Sequence, residues 1–165
     1  MNTFSGVLFL HAISKASAEG LDEILQDLQI RTKPHQWQLQ PLVVGSVKTV
    51  IEWSAVEDVA PLLVSKLADF GNIRFEVTLD HSKSQVGRRW CFSPGLGIYS
   101  AAIDEAGNVL LAENQVRNAL YGSGNDLLKT QAQLRKLLGT AWEDDLERFR
   151  AQSYELEKSW LIGLG

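Results

Sequence analysis

Apolar and polar positions alternate along this chain with two periods, and the switches between them outline its elements. Gly6-Val-Leu-Phe-Leu-His-Ala12 is apolar at odd and even positions alike, as in a central strand covered on both faces. Leu21, Ile24, Leu25 and Leu28 then recur at helical spacing, with Ser17 placed to cap the helix and Asp22, Glu23, Gln26 and Asp27 turned to water. Pro34 and His35 open a second strand around Trp37 and Leu39, alternating with Gln38 and Gln40. After Gly45, a third strand sets Val47, Thr49, Ile51 and Trp53 against Lys48, Val50 and Glu52. Asp58 caps the next helix, which puts Pro61 in the first turn, where a missing N–H costs nothing. Its apolar stripe is Val59, Leu62, Leu63, Leu67 and Phe70, and Gly71 ends it. Ile73, Phe75, Val77 and Leu79 then alternate with Arg74, Glu76 and Thr78. The order strand, helix, strand, strand, helix, strand over residues 6–79 is that of a ferredoxin-like β-α-β-β-α-β unit.

Residues 80–87 read as a polar loop, followed by a strand from Arg88 to Phe92 and a break at Ser93-Pro94-Gly95. Leu96 to Ile103 and Asn108 to Leu111 form a hairpin around Asp104-Glu-Ala-Gly107. Three helices complete the chain. Ala112 to Tyr121 ends at Gly122-Ser-Gly124; Asn125 caps a second helix that points Leu127, Leu128, Leu134 and Leu138 inward and stops at Gly139. Thr140-Ala-Trp-Glu143 is a capping box for the third, with Trp142, Leu146 and Phe149 buried. The last fifteen residues, with Tyr154, Leu156, Trp160 and Leu161 among charges, dock as a tail. The whole is an α+β chain of one domain, residues 1–165: a ferredoxin-like part at about 4–80, then a β-hairpin and helical part at about 88–165.

Composition narrows the functional classes. A chain of 165 residues, 45% hydrophobic and 22% charged, supports a packed core without disulfides or metal. The net charge of −4 argues against a role built on nucleic acid or an anionic membrane surface, both of which need a positive field. Phe9 and Trp53 alone do not supply the stacking aromatics of an RNA-binding sheet. Lone Cys91 suits a reducing compartment. The run from Gly6 to Ile13 lacks a preceding Lys or Arg and is interrupted by His11, so it reads as a strand and not an export signal. No stretch approaches a membrane span of about 18 apolar residues. A cytoplasmic location is expected.

No metal-site spacing links His11, His35 and His81, so neither metal nor cofactor is expected. His11 ends a central strand and is either carbonyl-bonded or exposed to a ligand. Cys91, between Trp90 and Phe92, reads as a small buried hydrophobe; Arg89, not Arg88, shares its face. Ser93-Pro-Gly-Leu-Gly97 matches no phosphate-binding pattern and reads as a turn, though Lys83, Arg88 and Arg89 lead into it and offer a local anion site. Glu143, Asp144, Asp145 and Glu147 suit the first turns of a helix electrostatically, and Asp144 stands four residues before Arg148 as a surface pair. Of the five tryptophans, Trp37, Trp53 and Trp142 read as core, while Trp90 and Trp160 suit a core, a pocket or an interface.

Gly6-Val-Leu-Phe-Leu-His-Ala12, Arg74-Phe-Glu-Val-Thr78, Ser93-Pro-Gly-Leu-Gly-Ile-Tyr99 and Leu137-Leu-Gly-Thr-Ala-Trp-Glu-Asp-Asp-Leu-Glu-Arg-Phe-Arg150 together resemble the actinobacterial domain-of-unknown-function family 3145. The last segment is the most specific. The resemblance implies a small bacterial cytoplasmic protein and transfers no catalytic residue; where members carry a cysteine loop after the His-Ala pair, this chain has Ile13-Ser14-Lys15-Ala16. It directs attention to His11, the 93–99 turn and the helix from Thr140.

Two functional readings follow. The first is a non-catalytic binding or regulatory module, a homodimer or a partner of a protein or small anionic ligand, with His11, Arg88, Arg89 and Tyr99 as candidate ligand-binding residues. On that reading one sheet face is polar at its margins through Gln38, Gln40, Lys48, Glu52, Arg74 and Glu76 and apolar at Leu8 and Leu10. The second is a small-metabolite enzyme, with His11, Arg89, Tyr99 and Asp145 converging between the two halves.

Overall fold

The structure, a computed structural model, describes residues 3–12, 20, 23–32, 49–56, 59–71, 73–80 and 85–148. Among them, seven strands make one antiparallel sheet: β1 (Thr3–Ala12), β2 (Arg31–Thr32), β3 (Thr49–Val56), β4 (Arg74–Leu79), β5 (Gly87–Ser93), β6 (Gly97–Ile103) and β7 (Val109–Leu110). Their spatial order is β2-β3-β1-β4-β5-β6-β7. Five helical segments accompany them: α1 (23–27), α2 (Val59–Ala68), α3 (Glu113–Tyr121), α4 (Leu127–Leu138) and α5 (140–148). The α+β class expected from the sequence is therefore observed, and no described helix is long and apolar enough to cross a membrane.

One sheet face carries the main core. Phe75, Val77 and Leu79 of β4 alternate inward and meet Trp90 and Phe92 of β5, with the Phe75 and Phe92 rings stacked at 5.4 Å. Ala60, Leu63, Val64 and Leu67 of α2 pack on this layer at i, i+3, i+4 and i+7. Leu62, expected in that stripe, is exposed; the stripe is rotated by one position, with Ala60 and Val64 inside. Leu25 and Ile30 complete the core at the end of α1. Ile30 N–H donates to Leu25 O and Gln29 N–H to Gln26 O, with Gln29 left-handed at φ 52°. That double bond ends the helix and folds Ile30 back onto Leu25, both of which are core residues.

The opposite face of β4–β6 is covered by α5. Cys91, Tyr99 and Trp142 form a second cluster there, with Ala101 and Ala141 against it. Covered on both sides, β5 buries Trp90, Cys91, Phe92 and Ser93 in succession. Leu8 pairs with Val77 and Leu10 with Phe75, whereas Val7 pairs with Thr78 and Phe9 with Glu76. This register corrects the expectation that Leu8 and Leu10 share a row with Arg74 and Glu76. Pairing shifts between Leu10 and Ala12, which makes His11 the extra residue of a bulge.

Further corrections fall in the C-terminal helices. Asp126, not Asn125, caps α4: its carboxylate accepts from Leu128 N (3.0 Å) and Lys129 N (3.2 Å), and Asn125 is left-handed at φ 65°. No α4 side chain is buried; Leu127, Leu128 and Leu138, expected inside, are exposed, and Leu134 is half-buried. Gly139 both stops α4 and opens α5, since its carbonyl accepts from Trp142 N and Glu143 N. Thr140 is thus inside the helix and does not cap it, and the Glu143 carboxylate turns to Arg89. The β6–β7 turn forms as expected, with Asp104 Oδ1 accepting from Ala106 N and Asn108 N. Expectations for Ser17, Leu21, Trp37 to Gln40, Val47, Lys48, Asp58, His35, His81, Lys83, Phe149, Trp160 and the 151–165 tail lie outside the described residues.

Candidate functional site: a groove along β6

Alternation in β5 sends its two arginines to opposite faces. Arg89 points under α5, where Nη2 meets Glu76 Oε1 at 2.5 Å and Nη1 meets Glu143 Oε1 at 3.1 Å. Burial would lower its pKa, but Cys91, Glu76 and Glu143 together raise it above the ordinary arginine value, so it stays charged. The Cys91 thiol is 3.9 Å from Glu76 Oε1. Burial first, and the nearby carboxylates next, push it up to about 12 against the opposing pull of Arg89. A thiol so placed is inert at neutral pH, as its apolar neighbours in the sequence suggest.

Three of the four acids of α5, Glu143, Asp144 and Asp145, are engaged by arginines, and Glu147 is exposed. Asp145 accepts from Arg74 Nε at 2.9 Å; burial is the largest single influence and opposes its ionisation, yet the surrounding donors and positive charges, Arg74 first, together hold the carboxyl below its ordinary value. Asp144 pairs with Arg135 of α4 at 2.7 Å, while Arg148 donates to the Asp144 backbone carbonyl. The expected Asp144–Arg148 carboxylate pair is therefore replaced by a contact between helices.

Tyr99 joins the sheet to the helices. Its hydroxyl donates to Leu137 O at 2.8 Å, and its ring packs against Trp142 at 5.1 Å. Burial, then Cys91 and Glu143, raise its pKa against Arg89. A Cβ at position 139 would lie 2.5 Å from the Tyr99 ring, and φ there is 73°. Only glycine lets the α4–α5 junction sit this close to β6.

Beyond Tyr99 a groove of about 1030 Å³ runs between β6 and the α3–α4 pair. Ile98 to Ala102, Arg88 and Trp142 line the sheet side; Gln115 and Asn118 of α3 and Gln133, Lys136 and Leu137 of α4 line the other. Arg88 lies 5.9 Å over the Trp90 ring. Among the described residues, neither Arg88 nor Lys136 has a carboxylate partner, and no acidic side chain lines the groove. No group of three or more potential metal ligands occurs among the described residues.

Of the expected ligand-binding residues, Arg88 and Tyr99 meet in this groove. Arg89, held in its ion pairs under α5, does not line the groove, and the His11 position in β1 is separated from β6 by β4 and β5. Lys136 and Gln133 escaped sequence reading because the leucines of α4 advertised a different side of that helix, and Asn118 of α3 because no local motif marks it. A family model described as "Protein of unknown function (DUF3145)" matches residues 7–163. The chain belongs to that family. No curated protein and no solved structure matches it. Membership in DUF3145 carries no activity, so the geometry must bear any functional reading.

Proposed function

We propose that this DUF3145 chain is a non-catalytic binding or regulatory module that takes an anionic partner in the groove along β6. The observation that carries this is electrostatic: Arg88 and Lys136 face a groove with no acid among its described lining residues, in a chain of net charge −4. A local positive field inside an acidic molecule selects a negatively charged ligand. Ile98, Leu110 and Trp142 beside these cations suit an apolar body on that ligand. An enzymatic reading gains no support, because Arg89, Asp145 and Tyr99 are each engaged by partners within the protein. A reducing, cytoplasmic setting suits the buried lone thiol. The order β2-β3-β1-β4 supports reading the first half as a ferredoxin-like unit.

Titrating octanoate and phenyl phosphate into the full-length chain, followed by backbone amide NMR, tests the site. Shifts of the Ile98–Ala102 amides that Arg88→Ala and Lys136→Ala weaken about tenfold are expected; unmoved β6 amides would refute the reading. A homodimer is a second reading. Leu120, Tyr121, Leu127 and Leu128 are exposed around the α3–α4 turn, and such an apolar patch can pack on its own copy across a twofold axis.

A further inference from the structure

We propose that the groove takes an extended peptide bearing an acidic side chain, which adds to the sheet as a strand beside β6; this rests on the groove being the binding site. Five consecutive residues, Ile98 to Ala102, line it. Successive strand side chains point to opposite faces, so a cavity touching all five follows the backbone edge of the strand. That edge is open. β7 pairs only with Ala102 and Ile103, and among the described residues Gly97–Ala101 have a strand neighbour on the β5 side alone. The Gly97 carbonyl accepts from Trp142 Nε1 at 2.9 Å, which leaves the open stretch to begin at Ile98.

Unused edges are ordinarily guarded by lysine, proline or a bulge. Gly97-Ile-Tyr-Ser-Ala-Ala-Ile103 contains no charge and no proline, and its register with β5 is unbroken. An edge left this plain, walled by α3 and α4 at a distance that leaves about 1030 Å³, is shaped for a further strand. A small anion would neutralise Arg88 and Lys136 and leave the edge groups unmet. A β6 edge from a second copy would meet those groups but set Arg88 and Lys136 against their own kind, and like charges facing each other are costly. An acidic peptide answers both requirements.

The test pans a random peptide display library, with inserts of about ten residues to exceed the ~14 Å of open strand, against the immobilised full-length chain. Enriched sequences should carry Asp or Glu among apolar residues at alternating positions. The best synthetic peptide should protect from hydrogen exchange the alternate amides of Ile98–Ala101 that face away from β5, and lose binding when alternate backbone nitrogens are methylated. Arg88→Glu and Lys136→Glu, both at exposed positions, should each weaken it by at least about tenfold. Lack of enrichment, indifference to methylation in either register, or indifference to both charge reversals would overturn the proposal. So would self-association of the wild-type chain that Ser100→Glu abolishes, because the occupant would then be a second copy. If octanoate or phenyl phosphate shifts the β6 amides through Arg88 while the library yields nothing, the anion site stands and the peptide falls. If neither binds, both fall.

Discussion

Helices α2 and α4 carry similar ladders of leucines, yet α2 buries Ala60, Leu63, Val64 and Leu67, whereas α4 buries nothing. Chain topology accounts for the difference. β3 and β4 each pair antiparallel with β1 and so run the same way. The connection between them must cross the sheet, and that lays α2 on its face. α4 follows the last strand and hangs between α3 and α5, held through the Tyr99–Leu137 hydrogen bond and the Arg135–Asp144 pair. A periodic stripe states which residues share a face. It does not state that anything lies opposite.

The comparison can be broken first at its buried end. Phe75→Ala, in the layer under α2, should cost about 3–5 kcal/mol in urea unfolding followed by tryptophan fluorescence. A loss below about 1 kcal/mol would mean that this core is far looser than its packing indicates. Next comes the opposite face of the same strand. Glu76→Gln removes the main partner of the mostly buried Arg89 and should cost about 2 kcal/mol, with exposed Glu143 as incomplete compensation. If thermal and chemical unfolding show no change, the pair contributes only orientation.

Cys91 provides a pH test. Its pKa rises from 9.0 to about 12 on folding, so the unfolded chain loses this proton first as pH increases. Stability is whole below about pH 9 and falls as pH climbs towards 12, on the order of 1 kcal/mol by pH 10. Cys91→Ala should flatten that alkaline slope, and the native thiol should resist a disulfide-exchange reagent at pH 8 until the protein unfolds. Rapid native labelling would contradict the buried placement. Asp145 acts with the opposite sign. Its folded pKa is depressed below the ordinary value near 3.8, so its contribution is present above that value and lost as pH falls through the folded one. Asp145→Asn should therefore cost about 0.5–1 kcal/mol at neutral pH, and the gap to wild type should close in acid; a gap independent of pH would assign the loss to packing.

The smallest effect on folding is expected on α4. Leu127 and Leu128 are 69% and 77% exposed, so replacing both with Ser should move the stability of the isolated chain by no more than about 0.5 kcal/mol. On the homodimer reading, the same replacement should shift sedimentation from dimer to monomer. An unchanged sedimentation profile would leave this face to solvent and sharpen its contrast with α2.

Local chemistry was readable without coordinates wherever it depended on neighbours in the chain. The alternation from Ile73 to Leu79, the Asp104 turn, the left-handed stop at Gly139 and the separation of Arg88 from Arg89 all follow from backbone periods and sterics. The buried, unreactive character of Cys91 was legible for the same reason. Partners distant in sequence were not. Arg74 with Asp145 and Arg89 with Glu143 are joined by register and helix docking, as is Tyr99 with Leu137 O, and none of these leaves a mark in local spacing. Half of the candidate site therefore surfaced early, as Arg88 and Tyr99, while Lys136 stood on a side of α4 that its leucines concealed. Periodicity is a property of one segment and is written in its residues. Whether a face is covered, and whether a strand edge is left open, depends on where the remaining segments pack, and that was decided only when β7 stopped after pairing two residues of β6.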